Sequence, residues 1–165
     1  GWHDLRDGVA VQSVSASNFL PLWVLTRPGA AELLGVSNAD LAAAAEAFGQ
    51  SGLVATAAIR TTLARTGQQW DSPNAWAPVQ HMLVEALLAI PPAAAAGRAI
   101  GAAWLETNML AFDRTGAMYE KYDAEVLGRG GGGGEYVPQT GFGWTNGVVL
   151  TLLEQGLRPN AHGHR

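Results

Sequence analysis

The chain has 165 residues, 48% of them hydrophobic, which is enough to build one domain around a substantial core. Its net charge is -4, and its ten Lys and Arg residues are scattered without a basic stripe, which argues against a nucleic-acid footprint. The absence of Cys excludes disulfides, thiolate nucleophiles and Cys-based metal sites together, while the cytosol and oxidising compartments both stay open.

No apolar segment reaches the length of a membrane span, and no charged-then-apolar signal opens the chain. The opening GWHDLRDG starts at Gly1 rather than Met and reads as the interior of a polypeptide, so a fragment or processed piece is expected. Residues 16 to 26 (ASNFLPLWVLT) are apolar, with Pro21 suited to a first helical turn, and predict a short buried helix. Ser37 precedes ADLAAAAEAFG, where Leu41, Ala45 and Phe48 share one helical face and Gly49 stands where a C-terminal cap belongs. From Ser51 to Gln69 the pattern is ambiguous, with the part before Trp70 read as extended. Trp76, Val79, Leu83, Ala86, Leu87 and Ile90 follow helical spacing until Pro91 and Pro92 stop it. The next helix, from about Gly97 to Phe112, buries Ile100, Ala103, Trp104, Thr107 and Leu110. The last, Thr145 to Gln155, buries Val148, Val149, Leu152 and Leu153 and ends at Gly156 and Pro159. Residues 156 to 165 are expected to fray. The fold class is therefore all-α: helical hairpins whose long loops, Ser51 to Ala75 and Asp113 to Trp144, gather on one rim.

Those loops hold the unusual chemistry. Glu120 to Asn146 places carboxylates on either side of a five-glycine run, Gly130 to Gly134. Such a run loses much entropy on ordering, and reads either as a linker or as a flap delivering Glu135, Tyr136, Phe142 and Trp144 to a polar ligand. The turn GQQWDSPNAWAP, Gly67 to Pro78, displays Trp70 and Asp71 before a helix. Trp70 offers the flat apolar face on which a sugar ring stacks, whereas Trp76 belongs to the apolar stripe and reads as core. Glu120, Asp123, Glu125 and Glu135 are the acids available for glycoside hydrolysis, which needs two carboxyl groups flanking the scissile bond. Loop acids are more often solvated surface charge, and flanking aromatics favour Glu120 and Glu135. His3, His81, His162 and His164 have no metal-ligand spacing within an ordered segment, and no Lys-Ser or Lys-Thr follows the glycines to make a phosphate loop.

Two of these stretches resemble a family. QWDSPNAWAP at Gln69 to Pro78 looks like the second signature of the trehalases, and GGGGEYVPQTGFGWTNGV at Gly131 to Val148 looks like their glycine-rich motif. An EKYD element lies between them at Glu120 to Asp123, in the family's order. The resemblance implies an (α/α)6 barrel that hydrolyses α,α-trehalose to two glucose molecules with inversion, without metal or organic cofactor. It also implies that Glu120 is the general base, that Glu135 contacts substrate, that Trp70 lies near the sugar and that Phe142 walls the pocket. The family's first signature is absent, and with it the glucose-clamping arginines and the aspartic general acid. A barrel of about twelve helices exceeds what 165 residues supply, so the resemblance implies residues 1–165 as the C-terminal part of one catalytic domain, needing a missing N-terminal segment. The alternatives are a barrel hydrolase acting on another α-glucoside, a non-catalytic sugar-binding module and a truncated barrel fragment.

Overall fold

The structure is a computed structural model, and it describes residues 3–160. Among the described residues, six α-helices run in the order α1 Pro21–Leu25, α2 Ala30–Leu33, α3 Asn38–Gln50, α4 Ala77–Ala89, α5 Ala94–Thr115 and α6 Gly143–Glu154. Two three-residue strands, β1 Asn74–Trp76 and β2 Lys121–Asp123, complete it. No single described helix is long and apolar enough to cross a membrane.

Local chemistry accounts for the helix ends. Ser37 caps α3 by accepting from the Asp40 amide, while the Asp40 carboxylate accepts from the Ser37 amide, a reciprocal capping box. Leu41, Ala45 and Phe48 are buried as their spacing predicts, but α3 runs past Gly49 to Gln50, and Gly52, at φ +79°, takes the left-handed position beyond it. α4 begins with Pro78 in its first turn, where no amide is needed, and ends before Pro91, whose ring forces Ile90 into extended backbone. α5 extends about three residues beyond its predicted span at each end, closing at Gly116 with φ +67°. The 16 to 26 segment divides at Leu20 into a 3-10 turn and α1, and only Ala16 and Leu22 in it are buried.

The core forms where α4 packs against α1, α5 and α6. Trp76, Leu83, Trp104 and Leu152 are essentially inaccessible there, each stabilising the fold by roughly 2 kcal/mol or more through burial. In α6 the expected stripe narrows: Val148 and Leu152 are buried, while Val149 lies at its margin and Leu153 is exposed. The stretch from 156 does not begin a frayed tail. Leu157 is buried in the space a Cβ on Gly101 would take, and Asn160 donates to Glu106 Oε2 at 2.9 Å. Residues 161–165, with His162 and His164, lie outside the described residues.

Away from the loop rim, Glu85 ties three helices together. Its Oε2 accepts from Trp23 Nε1 and Arg27 Nη2, both at 2.7 Å, and its Oε1 accepts from Gln155 Nε2 at 3.0 Å. His81 Nε2 approaches the same carboxylate at 3.6 Å, which gives that histidine a structural partner. Burial alone would raise the Glu85 pKa, but the Trp23 and Arg27 donors, His81 and Gln155 together hold it below the usual 4.5. Because the folded pKa is depressed, the stabilisation is present above the ordinary carboxylate value and is lost as pH falls through the folded one. Glu85→Ala is expected to cost about 1–3 kcal/mol at neutral pH by stranding these donors. Denaturant unfolding checks this, and the gap from wild type should narrow below about pH 4.5.

A small sheet accompanies the helices. β1 and β2 pair antiparallel with Asn74 opposite Asp123, Ala75 opposite Tyr122 and Trp76 opposite Lys121. This pairing gathers the two long loops at the N-terminal ends of α4 and α6, on one rim as predicted. Further bonds seal it: Ala57 N donates to Ala124 O at 2.8 Å, and Gly134 N to Gly67 O at 2.9 Å. Gln80 on α4 pins the first loop by exchanging bonds of 2.8 and 2.9 Å with the Ile59 backbone.

Candidate active site

At the rim, Glu120 immediately precedes β2 and its backbone is fixed on both sides. Its amide donates to Gln139 O at 3.0 Å, and its carbonyl accepts from Trp144 Nε1 at 2.9 Å. The side chain is buried, with 2% exposure. Oε2 accepts from the Tyr136 hydroxyl at 3.3 Å; Oε1 has no hydrogen bond and lies 3.7 Å from Lys121 Nζ. A buried carboxylate oxygen with an ion pair but no hydrogen bond is uncommon. Partial burial, reinforced by the carboxylate that its hydroxyl binds, pushes the Tyr136 phenol above its usual 10, so Tyr136 stays a donor to Glu120.

A cluster of indoles reaches the Glu120 backbone through Trp144. Trp76 is buried and donates Nε1 to Gln69 O at 2.9 Å, in agreement with its reading as core, although it sits on β1 rather than on a helical stripe. Trp70 stacks on it with centroids 4.0 Å apart and planes at 10°, and remains 46% exposed. Trp144 meets Trp76 edge-on at 5.5 Å, and Phe142, just before α6, packs on Trp144 at 4.8 Å. Trp70, Glu120 and Phe142 are thus linked through one aromatic cluster. Glu135 is exposed and makes no hydrogen bond or ion pair to another described residue.

The glycine run is clamped rather than loose. Asn74 grips Gly132 from both sides, its Nδ2 donating to Gly132 O at 2.9 Å and its Oδ1 accepting from Gly132 N at 3.0 Å. Gly131 N donates to Lys121 O at 3.0 Å. A Cβ on Gly131 would fall 2.6 Å from Asn74 Oδ1, and one on Gly134 2.8 Å from Gln69 Cβ. Close approach of backbone to β1, β2 and the 67–69 loop therefore selects glycine here, which corrects the reading of the run itself as a linker or mobile flap. What lies over Glu120 is the segment after it, through Tyr136.

The remaining acids have structural duties. Asp123 Oδ1 accepts from the amides of Glu125 and Val126, and its Oδ2 binds Arg129. Glu125 pairs with Arg60 at 2.9 Å and with Arg65; the Arg60 bond outweighs burial, and with Arg65 it keeps the carboxyl below the usual range. Asp71 is not displayed beside Trp70. It turns back to bond the Thr66 and Thr62 hydroxyls, which lower its pKa and close its loop.

Lys121, Asn74 and Gln69 escaped the sequence reading. For Asn74 a signal existed: a glycine run that must be ordered needs a partner offering both a donor and an acceptor, and the amide in the aromatic turn is one. For Lys121 there was none, since a lysine beside a glutamate normally reads as surface charge.

Comparison with known proteins gives this geometry a context. A family profile described as Trehalase matches residues 2–156. A probable trehalase of Oryza sativa subsp. japonica is 47% identical over 146 residues, covering 87% of this chain and 26% of that protein. The trehalase of Homo sapiens is 43% identical over 157 residues, covering 93% and 25%. The neutral trehalase structure from Saccharomyces cerevisiae superposes with a TM-score of 0.68 at 23% identity, over 98% of this chain and 26% of that one. The chain thus spans about a quarter of the length of these relatives. Its helical hairpins are part of an (α/α)6 barrel. The chain belongs to the trehalase family.

Proposed function

We propose that this chain supplies the general-base half of an active site that hydrolyses α,α-trehalose to two glucose molecules with inversion. The observation that carries this reading is Glu120: its side chain is buried, its backbone is tied to the indole cluster by Trp144, one carboxylate oxygen is held by Tyr136 and the other has no hydrogen bond. In the proposed reaction a water enters against Oε1 and transfers a proton to Glu120 as its oxygen attacks the anomeric carbon. A carboxylic acid on the opposite face of the sugar protonates the departing glycosidic oxygen. That acid is supplied by a segment outside this chain, which makes residues 1–165 the C-terminal part of a single catalytic domain. Inversion requires the two carboxyl groups to stand roughly 6.5–9.5 Å apart, leaving room for the water.

Because Oε1 is buried, the segment that carries Tyr136 has to move aside for that water to enter, so residues 135–140 act as the lid over the base. The exposed face of Trp70, opposite its stack on Trp76, is the sugar platform. Glu135, with no hydrogen bond or ion pair among the described residues, bonds sugar hydroxyls, and Phe142 walls the pocket. No metal or organic cofactor takes part.

The burial of Glu120 favours a second reading, a non-catalytic sugar-binding module in which the base is permanently covered. The chain alone and the chain joined to its upstream polypeptide are to be assayed for glucose release from trehalose, with calorimetry on both. Glucose release by the joined form alone is expected. Turnover by the short form would contradict the external acid, and binding without turnover in both forms would favour the module.

A further inference from the structure

Lys121 is the one lysine in the chain and its side chain is fully buried. Taking an ammonium out of water is costly unless it is paired, and Lys121 has two hydrogen-bond acceptors and one carboxylate around it. Nζ carries three N–H donors and faces three oxygens: Gly133 O at 3.3 Å, Gln69 Oε1 at 3.4 Å and Glu120 Oε1 at 3.7 Å. Two aromatic rings complete the cage, with the Trp76 centroid at 5.2 Å and the Tyr136 centroid at 5.1 Å, both within cation-π range. Gly133 belongs to the clamped glycine run, and Gln69 adjoins Trp70. Tyr136 holds the other oxygen of Glu120.

We infer that Lys121 is a positioning residue: one buried ammonium locks the carboxylate of Glu120, the glycine run and the Trp70 loop into a single geometry. This rests on the reading of Glu120 as the base. Lys121 touches no substrate; it acts by holding the base oxygen and the sugar platform in register with each other. An aliphatic side chain at 121 would fill the same volume yet satisfy none of the three oxygens, so the platform and the base would drift independently. Misplacement of about 1 Å at a reacting centre is enough to cost roughly 10²-fold.

The test compares Lys121→Met, Lys121→Arg and Glu120→Gln in the chain joined to its upstream polypeptide, using trehalose kinetics and hydrogen exchange by segment. For Lys121→Met we expect kcat to fall about 10²-fold. Exchange should rise together in residues 67–70 and 131–137, with α3 unchanged as the internal reference. Lys121→Arg, which keeps the charge and its donors, should recover a substantial part of kcat. If Lys121→Met retains wild-type kcat while Glu120→Gln is inactive, the inference is overturned and the reading of Glu120 stands. If Lys121→Met loosens α3 as well, the Arg variant decides: restored protection with unrestored kcat overturns positioning, and recovery of both supports it. If Glu120→Gln remains active, the base assignment fails. Exchange then judges the clasp separately: unchanged protection of 67–70 and 131–137 in Lys121→Met overturns it, and a joint rise in both sustains it.

Discussion

Replacing Glu120 by Gln in the chain joined to its upstream polypeptide is expected to lower kcat on trehalose by roughly 10²–10⁴-fold, the range typical of a lost general base. The two side chains have nearly the same shape, and the amide oxygen of Gln can still accept from Tyr136, so the rim should keep its packing. What disappears is the oxygen that takes a proton from water. KM should change little, because the indole platform and Glu135 are untouched, and a loss confined to kcat marks an interaction made in the transition state. The thermal unfolding temperature should fall, because the fully buried Lys121 ammonium, 3.7 Å from Oε1, loses its charged partner. Steady-state kinetics and a melting curve on the same preparations provide the check.

The second large effect is expected from a matched pair in the glycine run. Gly133 has φ +73°, and a Cβ there would press well inside 3.0 Å on the carbonyl oxygen of Gly67. Gly132, its neighbour, has ordinary backbone, and a methyl group placed on it would meet nothing within 4 Å. Gly133→Ala therefore combines left-handed strain of about 1–2 kcal/mol with a backbone collision that only displacement of the 67–70 loop relieves. A total loss of about 2 kcal/mol or more is expected, together with a roughly 10²-fold fall in kcat as Trp70 and Gln69 move. Gly132→Ala should lie within about 0.5 kcal/mol of wild type and keep its activity. Urea unfolding and trehalose kinetics on the two variants test the claim that close approach, rather than mobility, accounts for these glycines.

That pair also shows where sequence reasoning reached and where it stopped. The helices were legible because Leu41, Ala45 and Phe48, or Val79, Leu83 and Ala86, repeat with the period of a helix and end at Ser, Gly and Pro residues with local reasons to be there. The β1–β2 pair was not legible. Strands of three residues are too short to show alternation, and their partners are far apart in the chain, Asn74 with Asp123. Without that pairing, a run of glycines has no visible opponent, and its conformational freedom reads as looseness. The same gap hid the duties of Asp71, Asp123 and Glu125. A loop carboxylate looks alike whether it waits for a substrate or already holds Thr62, Arg129 or Arg60. The roles given to Glu120, Glu135, Trp70 and Phe142 came from resemblance to the trehalases. The structure adds the partners of Glu120 and reveals Lys121, whose burial no local pattern announces.

The most direct measurement of the central claim is the anomeric form of the glucose released, followed by proton NMR before mutarotation, from the chain joined to its upstream polypeptide. Water activated by Glu120 and attacking opposite the departing oxygen should give α- and β-glucose in equal amounts from wild type and at most about a hundredth as much glucose from Glu120→Gln over the same interval. Release of α-glucose alone by wild type, or equal amounts of both anomers from Glu120→Gln at the wild-type rate, would contradict it.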